Sequence, residues 1–137
     1  MTELRDLMAR ARAMMTLAES VDGASPGAAG LAYQAADLAV KVLIVELDGA
    51  DPWAHEVRNR RASELLGVAE EDLMFMFRVR LLDFYAGGTL DTDHATWGGT
   101  LEAPSSDDCR RAVSIAGRVV RIAEAKLRDA DAPCVDL

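Results

Sequence analysis

The stretch Ser25–Gly49, SPGAAGLAYQAADLAVKVLIVELDG, decides the fold class of this chain. A serine followed by a proline is a helix-start signal, and a glycine after the last apolar residues suits a helix end. Apolar residues cover most of the helix circumference between these signals, and Asp37 and Lys41 on the narrow polar face are spaced for an i,i+4 pair. The stretch therefore predicts a helix from Pro26 to about Asp48 that lies at the centre of a helical bundle.

Segments on either side of this helix carry helical periodicity or cap signals. Together they predict an all-α fold, an up-and-down bundle of four main helices plus one shorter helix. The segment after the central helix has a weak apolar face, so we expect either a shorter, partly exposed helix or two turns with an irregular middle. We expect residues 1–129 to form a single bundle domain and residues 130–137 to be a flexible C-terminal tail. The predicted helices run from Leu4 to about Ser20, from Asp51-Pro52 to near Gly67, from within Glu70–Asp72 to Tyr85, and from a Ser105 cap to about Asp129.

The composition limits the class of protein and the compartment. A chain of 137 residues has room for one core, and an aromatic content of 5% disfavours a β-sandwich or barrel. The net charge of −8 makes a poor general polyanion binder, although a local arginine cluster can still hold one phosphate. We find neither ~18–20 consecutive apolar residues nor a signal-peptide core, so we expect a cytoplasmic protein without membrane contact. The cysteines Cys109 and Cys134 are expected to be inert thiols.

Sequence motifs for metal, cofactor and nucleophilic chemistry are missing. The two histidines, His55 and His94, do not lie in an HxxxH, CxxC or ExxH setting. The carboxylates of Glu70-Glu71-Asp72 are consecutive, so on a helix they diverge and cannot converge on one ion. The one GxSxG spacing, Gly23–Gly27, has Ser25 at a predicted helix start and follows a predicted helix, whereas a nucleophilic serine of this motif follows a strand. No GxGxxG or GxxxxGK[ST] motif occurs. We therefore expect no metal and no cofactor.

Polar side chains are concentrated at the end of the fourth predicted helix. Arg78 and Tyr85 are seven residues apart and share one helix face, while Arg80 and Asp83 are three apart and can form an ion pair. One interpretation is an exposed ion pair beside a tyrosine of the core. The other is a polar patch at a subunit interface or in a phosphate-binding groove, where the planar guanidinium of arginine is well suited.

Three further features are candidates for function. His55 is expected to be a structural, hydrogen-bonding residue near a helix start. The loop Thr89–Pro104 is long for a small bundle and holds His94 and Trp97, and Trp97 either anchors the loop or is an exposed contact. The third predicted helix carries a basic cluster of Arg58, Arg60 and Arg61. The simplest interpretation is a solvated face balanced by Glu56 and Glu64, and the alternative is phosphate binding.

The order of these features resembles the HEPN domain (higher eukaryotes and prokaryotes nucleotide-binding), an all-α bundle. Residues 32–43, AYQAADLAVKVL, are similar to that family's A-Y-x-A-x-x-x-A-x-K-A-L second helix. Residues 52–55, PWAH, resemble the proline-then-histidine entry to its middle segment. Residues 80–85, RLLDFY, resemble its R-x-x-x-D-Y ending with Phe84 inserted, and Ser105–Leu127 fits its closing helix.

Many HEPN domains are metal-independent RNases that use an arginine and, after four to six residues, a histidine at a dimer interface. With four residues between them after Arg80, or six after Arg78, the histidine position is in both cases occupied by Tyr85. A phenol, with an ordinary pKa of about 10, cannot replace an imidazole as a base at neutral pH. His94 lies nine residues further on, and nothing in the sequence requires it to fold back to the arginines.

The resemblance therefore implies a non-catalytic HEPN-like module that dimerises and binds a protein partner or a nucleotide. In this family, such small domains often work beside a nucleotidyltransferase or within defence and toxin–antitoxin systems. Two alternatives stay open: a HEPN-type RNase that cleaves RNA, and an unrelated acidic helical adaptor or scaffold. An RNase would use Arg78, Arg80, Tyr85 and His94; the expected binding or interface residues are Arg78, Arg80, Asp83, Tyr85, His55 and Trp97.

Overall fold

Five helices make up the described part of the chain, as shown by a computed structural model. It describes the backbone of residues 2–21, 24–52, 54–85 and 104–131, and the side chains of residues 3–21, 24–52, 54–80 and 104–130. These ranges contain no strand, which confirms the predicted all-α bundle of four main helices and a shorter one. The helices are α1 (Thr2–Ser20), α2 (Pro26–Asp48), α3 (His55–Leu66), α4 (Glu70–Tyr85) and α5 (Ser106–Asp131).

Helix α2 lies at the centre of the bundle, as predicted, and packs against all four other helices. The Ser25 hydroxyl accepts a hydrogen bond from the Ala28 amide at 3.2 Å, and Gly49 ends the helix in the left-handed conformation at φ 86°. Small side chains line its buried faces and let the neighbouring helices approach closely. Six of its alanines are almost fully buried: Ala28, Ala29, Ala32, Ala35, Ala36 and Ala39.

The main helices run up and down. Arg12 on α1 lies 3.6 Å from Glu124 on α5, while Glu19 lies 3.6 Å from Arg121, so the residue numbers of these two helices rise in opposite directions. Between α4 and α5, the carboxylate of Asp72 forms ion pairs with two arginines, Arg118 at 3.0 Å and Arg111 at 3.3 Å.

The start of α3 differs from the prediction. Asp51-Pro52 does not cap this helix, which begins at His55 after Ala54 and has no side-chain cap. The reason is that the Asp51 carboxylate accepts hydrogen bonds from a side chain one turn inside the helix, as described below. The end of the helix is as predicted, with Gly67 in the left-handed conformation at φ 68°.

The closing helix begins with the predicted cap, because the Ser105 hydroxyl accepts a hydrogen bond from the Asp108 amide at 3.1 Å. The helix continues to Asp131, two residues beyond the expected end, and the rest of the predicted tail lies outside the described residues. Cys109 is completely buried in the core, whereas Cys134 lies outside the described residues.

Helix α2 is also long and apolar enough to cross a membrane when judged by length and composition alone. The sequence, judged by consecutive apolar residues, did not suggest this. The most apolar window of α2 is 61% buried against the rest of the bundle, and the core helix of a bundle has the same composition as a membrane span.

Candidate functional site

Arg58, near the start of α3, is the one charged side chain that is buried in the described part of the chain. Its Nε and Nη2 donate to the two carboxylate oxygens of Asp51 at 3.0 and 2.9 Å. Its Nη1 donates to Asp37 of α2 at 3.2 Å, and Nη2 also reaches the Pro52 carbonyl at 3.4 Å. The prediction of a solvated arginine face is therefore wrong for Arg58, which ties α3 and the segment before it to α2.

The prediction of a solvated arginine face holds better for Arg60 and Arg61. Arg60 is exposed, and Arg61 is about one-third exposed. Arg61 donates two hydrogen bonds to Asp48, at 2.6 and 2.7 Å, and one to Glu64 at 3.3 Å. The hydrogen bonds from Arg61 hold the pKa of the Asp48 carboxyl below its ordinary value. Arg61 thus joins α3 to the end of α2 by a surface fork, outside the buried cluster.

A row of three rings lies beside the buried cluster, on the face that α2, α3 and α4 form together. The Phe77 ring of α4 lies between the other two, with centroids 5.9 Å from Tyr33 and 4.6 Å from His55. The rings are tilted by 47° and 35°, in the range of favourable aromatic pairs. We call Tyr33, Phe77 and His55 the aromatic row.

Tyr33 connects the aromatic row to the charged groups. Its pKa is raised from 10.0 to about 12, first by burial and second by the negative charge of Asp37. The positive charges of Arg58 and Arg80 act in the opposite direction and lower this pKa. Arg80 is therefore near enough to act on a side chain of α2, and it is only partly exposed.

The predicted site residues fall into three groups. His55 is the first residue of α3, exposed, with its ring against Phe77. Arg78 is exposed, on a different side of α4 from Arg80, so the structure does not bring these two arginines into one cluster. For the others the side chains are not described: Asp83 and Tyr85 are in the last turn of α4, and His94 and Trp97 lie outside the described residues.

The chemistry of this face is that of a closed polar cluster. The cleft between α2, α3 and α4 has a volume of only about 20 Å³, enough for a water molecule but not for an organic ligand. It is lined by Tyr33, Asp37, Arg58 and Asn59 together with apolar residues of the three helices. Among the described residues, no group of three histidine, cysteine or carboxylate side chains lies close enough to hold a metal ion.

Sequence reasoning missed the partners of Arg58 and the aromatic row. A weak signal existed for Asp51, which precedes Arg58 by seven residues across a helix start. No spacing relates Asp37 to Arg58, or Tyr33 to Phe77, because these pairs come from different helices and meet only when the bundle packs.

Comparison with protein families gives one match over most of the chain. The family model of the HEPN domain matches residues 4–126, which include all of α2, α3 and α4 and most of α1 and α5. Neither a curated protein nor a solved structure matches the chain. The five-helix bundle around α2 is the all-α fold that this family implies, and the chain belongs to the HEPN domain family.

Proposed function

We propose that this HEPN domain is a non-catalytic module that forms a homodimer and binds a protein partner or a nucleotide. The observation that carries the proposal is Tyr85, which stands where an RNase of this family would have its histidine. Helix α4 has no break before Tyr85, so no irregularity within the helix moves a different residue into the position of the family's histidine. A phenol at neutral pH keeps its proton and cannot take one from a ribose hydroxyl.

The buried cluster supports a structural role for this part of the domain. The guanidinium of Arg58 donates hydrogen bonds to Asp51 and Asp37, so a phosphate could bind this buried arginine only by displacing their carboxylates. The one histidine in the described residues, His55, lies on the Phe77 ring. The hydrogen bonds of Arg58 and the contact of His55 with Phe77 support a structural role for both groups.

The outer side of α4 supports dimerisation. Positions 74, 78, 81 and 85 repeat at intervals of four, three and four residues, which places them on one face of the helix. Met74 is 37% exposed and Arg78 is also exposed, whereas Leu73, Met76 and Val79 on the other side are buried. Met74 and Arg78 therefore lie on an open part of the helix, and the sequence of the stripe, Met, Arg, Leu and Tyr, has the composition of a protein interface.

Light scattering of the purified protein tests the dimer. We expect a mass of about twice 14.8 kDa at micromolar concentration. Met74→Glu, which places a charge in the stripe, should increase the monomer fraction at least several-fold. Leu17→Glu is the matched control, since Leu17 is an exposed apolar residue on α1, away from the stripe. A monomer at every concentration, or equal effects of the two variants, contradicts the proposal.

Incubation with RNA in the presence of EDTA tests the RNase alternative. We expect the wild-type protein to leave the RNA intact. Metal-independent cleavage that is lost in both Arg80→Ala and His94→Ala would establish the RNase instead. An adaptor unrelated to nucleotides or dimerisation would tolerate substitution of Arg78, Arg80 and Tyr85 with effects on stability only.

The partner class that the family resemblance implies is a nucleotidyltransferase, in a defence or toxin–antitoxin setting. A mild affinity pull-down from the native cells tests this. One dominant stoichiometric protein with nucleotidyltransferase activity is the expected result. Co-purified RNA with no protein partner would favour the RNase alternative, despite the net charge of −8.

A further inference from the structure

A long groove separates α1 from α5. Both helices pack extensively against α2 but contact each other over less surface. The groove, which we call the α1–α5 groove, consists of two adjoining hollows of about 300 and about 390 Å³. The hollows share Arg12, Glu124 and Arg128. Along α1 the groove extends from Arg5 to Glu19, about 21 Å at a rise of about 1.5 Å per residue.

The charge of the groove is opposite to that of the whole chain. Its lining residues include four arginines and two glutamates, a formal charge of +2, whereas the chain carries −8. The arginines come from both walls, so the positive charge lies along both rims. The charged residues are Arg5 and Arg12 with Glu19 on α1, and Arg121 and Arg128 with Glu124 on α5.

The ion pairs within the groove are long and exposed. Arg12 and Arg128 lie 3.6 and 3.9 Å from the same residue, Glu124, and their side chains are 68% and 71% exposed. Arg121 lies 3.6 Å from Glu19 and is 67% exposed. Exposed pairs of this kind contribute little to stability, and the arginines can exchange their partners for other carboxylates. The five N–H donors of each guanidinium exceed what one distant carboxylate oxygen can accept.

The floor of the groove is apolar. It contains Met8, Met15, Val120 and Leu127, whose side chains pack into the core and are 3–4% exposed. A bound helix would therefore contact the outer edges of these residues and the aliphatic stems of the rim arginines. Methionine side chains adapt to irregular apolar surfaces and are common where a protein binds helices. A groove with an apolar floor, arginine rims and a length of about four helical turns has the shape and the charge to receive a helix.

We propose that the α1–α5 groove binds an amphipathic helix of a partner protein, whose apolar face meets the groove floor and whose flanks carry Asp or Glu. The proposal rests on the partner binding proposed above and specifies the partner's chemistry. Charge complementarity favours acidic flanks, because carboxylates of the partner can take the positions of Glu19 and Glu124 on the arginines. A single nucleic-acid strand fits less well, because no aromatic side chain among the described residues lines the groove as a stacking platform.

A pair of synthetic peptides tests this proposal on the 137-residue chain. The first has about 16 residues, roughly four turns, with leucines at i, i+3, i+4 and i+7 spacing and glutamates on both flanks. The second has lysine in place of each glutamate. We expect fluorescence anisotropy to show that the glutamate peptide binds at least about ten-fold more tightly.

Two charge reversals on α5 form a matched pair of variants. Arg128→Glu should weaken the glutamate peptide about ten-fold and improve binding of the lysine peptide. Arg110→Glu is the control, because Arg110 is exposed on the same helix, has one acidic partner within its helix, and lies outside the groove. Equal unfolding midpoints of the two variants show that neither effect comes from misfolding.

Several results would overturn the proposal. They are equal binding of the two peptides, equal loss in Arg110→Glu and Arg128→Glu, or no binding of the glutamate peptide at about millimolar concentration. Tighter binding of a short single-stranded RNA that Arg128→Glu abolishes would assign the groove to nucleic acid instead. The dimer and RNA-cleavage assays use the same preparation without peptide. If the protein is dimeric and RNase-inactive but does not bind the peptide, only the proposal for the groove is contradicted. If the protein is a monomer that cleaves RNA, the proposed function is contradicted.

Discussion

The buried Arg58 cluster and the α1–α5 groove use the same side chain in opposite ways. Arg58 is 8% exposed and makes hydrogen bonds of 2.9–3.2 Å to two aspartates. Arg12, Arg121 and Arg128 in the groove are about two-thirds exposed or more, with acidic partners at 3.6–3.9 Å. A buried guanidinium must be satisfied within the protein, whereas an exposed one keeps water as an alternative partner and can exchange it for a ligand. Burial, more than residue type, therefore separates the structural arginine from those available for recognition.

Arg58→Ala should have the largest effect on stability. It leaves the carboxylates of Asp37 and Asp51 without their common partner, and we expect a loss of about 2–3 kcal/mol in the free energy of unfolding. This is below the cost for a fully buried pair, because the two carboxylates are 24% and 27% exposed. Urea unfolding measures the loss. Arg60→Ala on the same helix is the matched control and should change stability by less than about 0.5 kcal/mol; equal effects would remove the contrast between the two regions.

Arg58→Lys sharpens the comparison by keeping the charge and removing the planar fork. A lysine ammonium cannot donate side by side to both oxygens of Asp51 while also reaching Asp37. We expect a loss of about 1–2 kcal/mol in urea unfolding, between wild type and Arg58→Ala. A Lys variant as stable as wild type would mean that charge alone, without fork geometry, accounts for the role of Arg58.

Titration of Tyr33 measures how strongly burial raises the pKa of its phenol beside the Arg58 cluster. Because its pKa in the folded state is raised from 10.0 to about 12, the folded protein holds the phenolic proton more tightly than the unfolded chain. This contribution to stability is fully present below pH 10 and is lost as the pH rises through 12. Ultraviolet titration of the two tyrosines should show one late transition that disappears in Tyr33→Phe.

The same titration separates the two causes of the shift. Asp37→Asn removes the neighbouring negative charge and should move the Tyr33 transition to lower pH, while the larger contribution from burial stays. Lys41→Gln is the control, since Lys41 contacts the same Asp37 carboxylate at 3.0 Å, while the charges that shift the pKa of Tyr33 are those of Asp37, Arg58 and Arg80. Two coincident tyrosine transitions near the ordinary pKa would contradict the burial of Tyr33.

Arg12→Ala should have the smallest effect. Its partner Glu124 keeps Arg128 nearby, and the side chain of Arg12 is mostly in water. We expect a change of less than about 0.5 kcal/mol in the free energy of unfolding, together with weaker binding of the glutamate peptide. A loss comparable to that of Arg58→Ala would show that the groove arginines are structural and would place both regions in one class.

The helices themselves could be predicted from the sequence because their signals are local. The Ser25 cap and the Gly49 stop gave both ends of α2, and the Ser105 cap gave the start of α5. The i,i+4 pair of Asp37 and Lys41 was also predictable and has a length of 3.0 Å. The failure was at Asp51, whose cap-then-proline pattern is the same whether its carboxylate caps a helix or binds a distant arginine.

The candidate site was less predictable than the fold. The sequence drew attention to Arg78, Arg80 and His55, and the structure separates Arg78 from Arg80 and places His55 on Phe77. Arg58 gave no local sign of burial, since it belongs to a weakly apolar helix in which Glu56 and Arg60 lie two residues away on either side. Its environment depends on Asp37, twenty-one residues earlier, and on how closely α3 approaches α2.

The sequence by itself determined the helical class, the central position of α2 and the similarity to the HEPN family. Helix caps and hydrophobic periodicity depend on residues only a few positions apart, and the order of motifs is visible along the chain. Only the tertiary structure decided which arginines are buried and which line a groove. Arg58 and Arg128 both lie among polar residues of amphipathic helices, so their local sequence patterns do not distinguish them. The packing of α3 and α5 on α2 determines whether the guanidinium is paired mainly with buried carboxylates or with water.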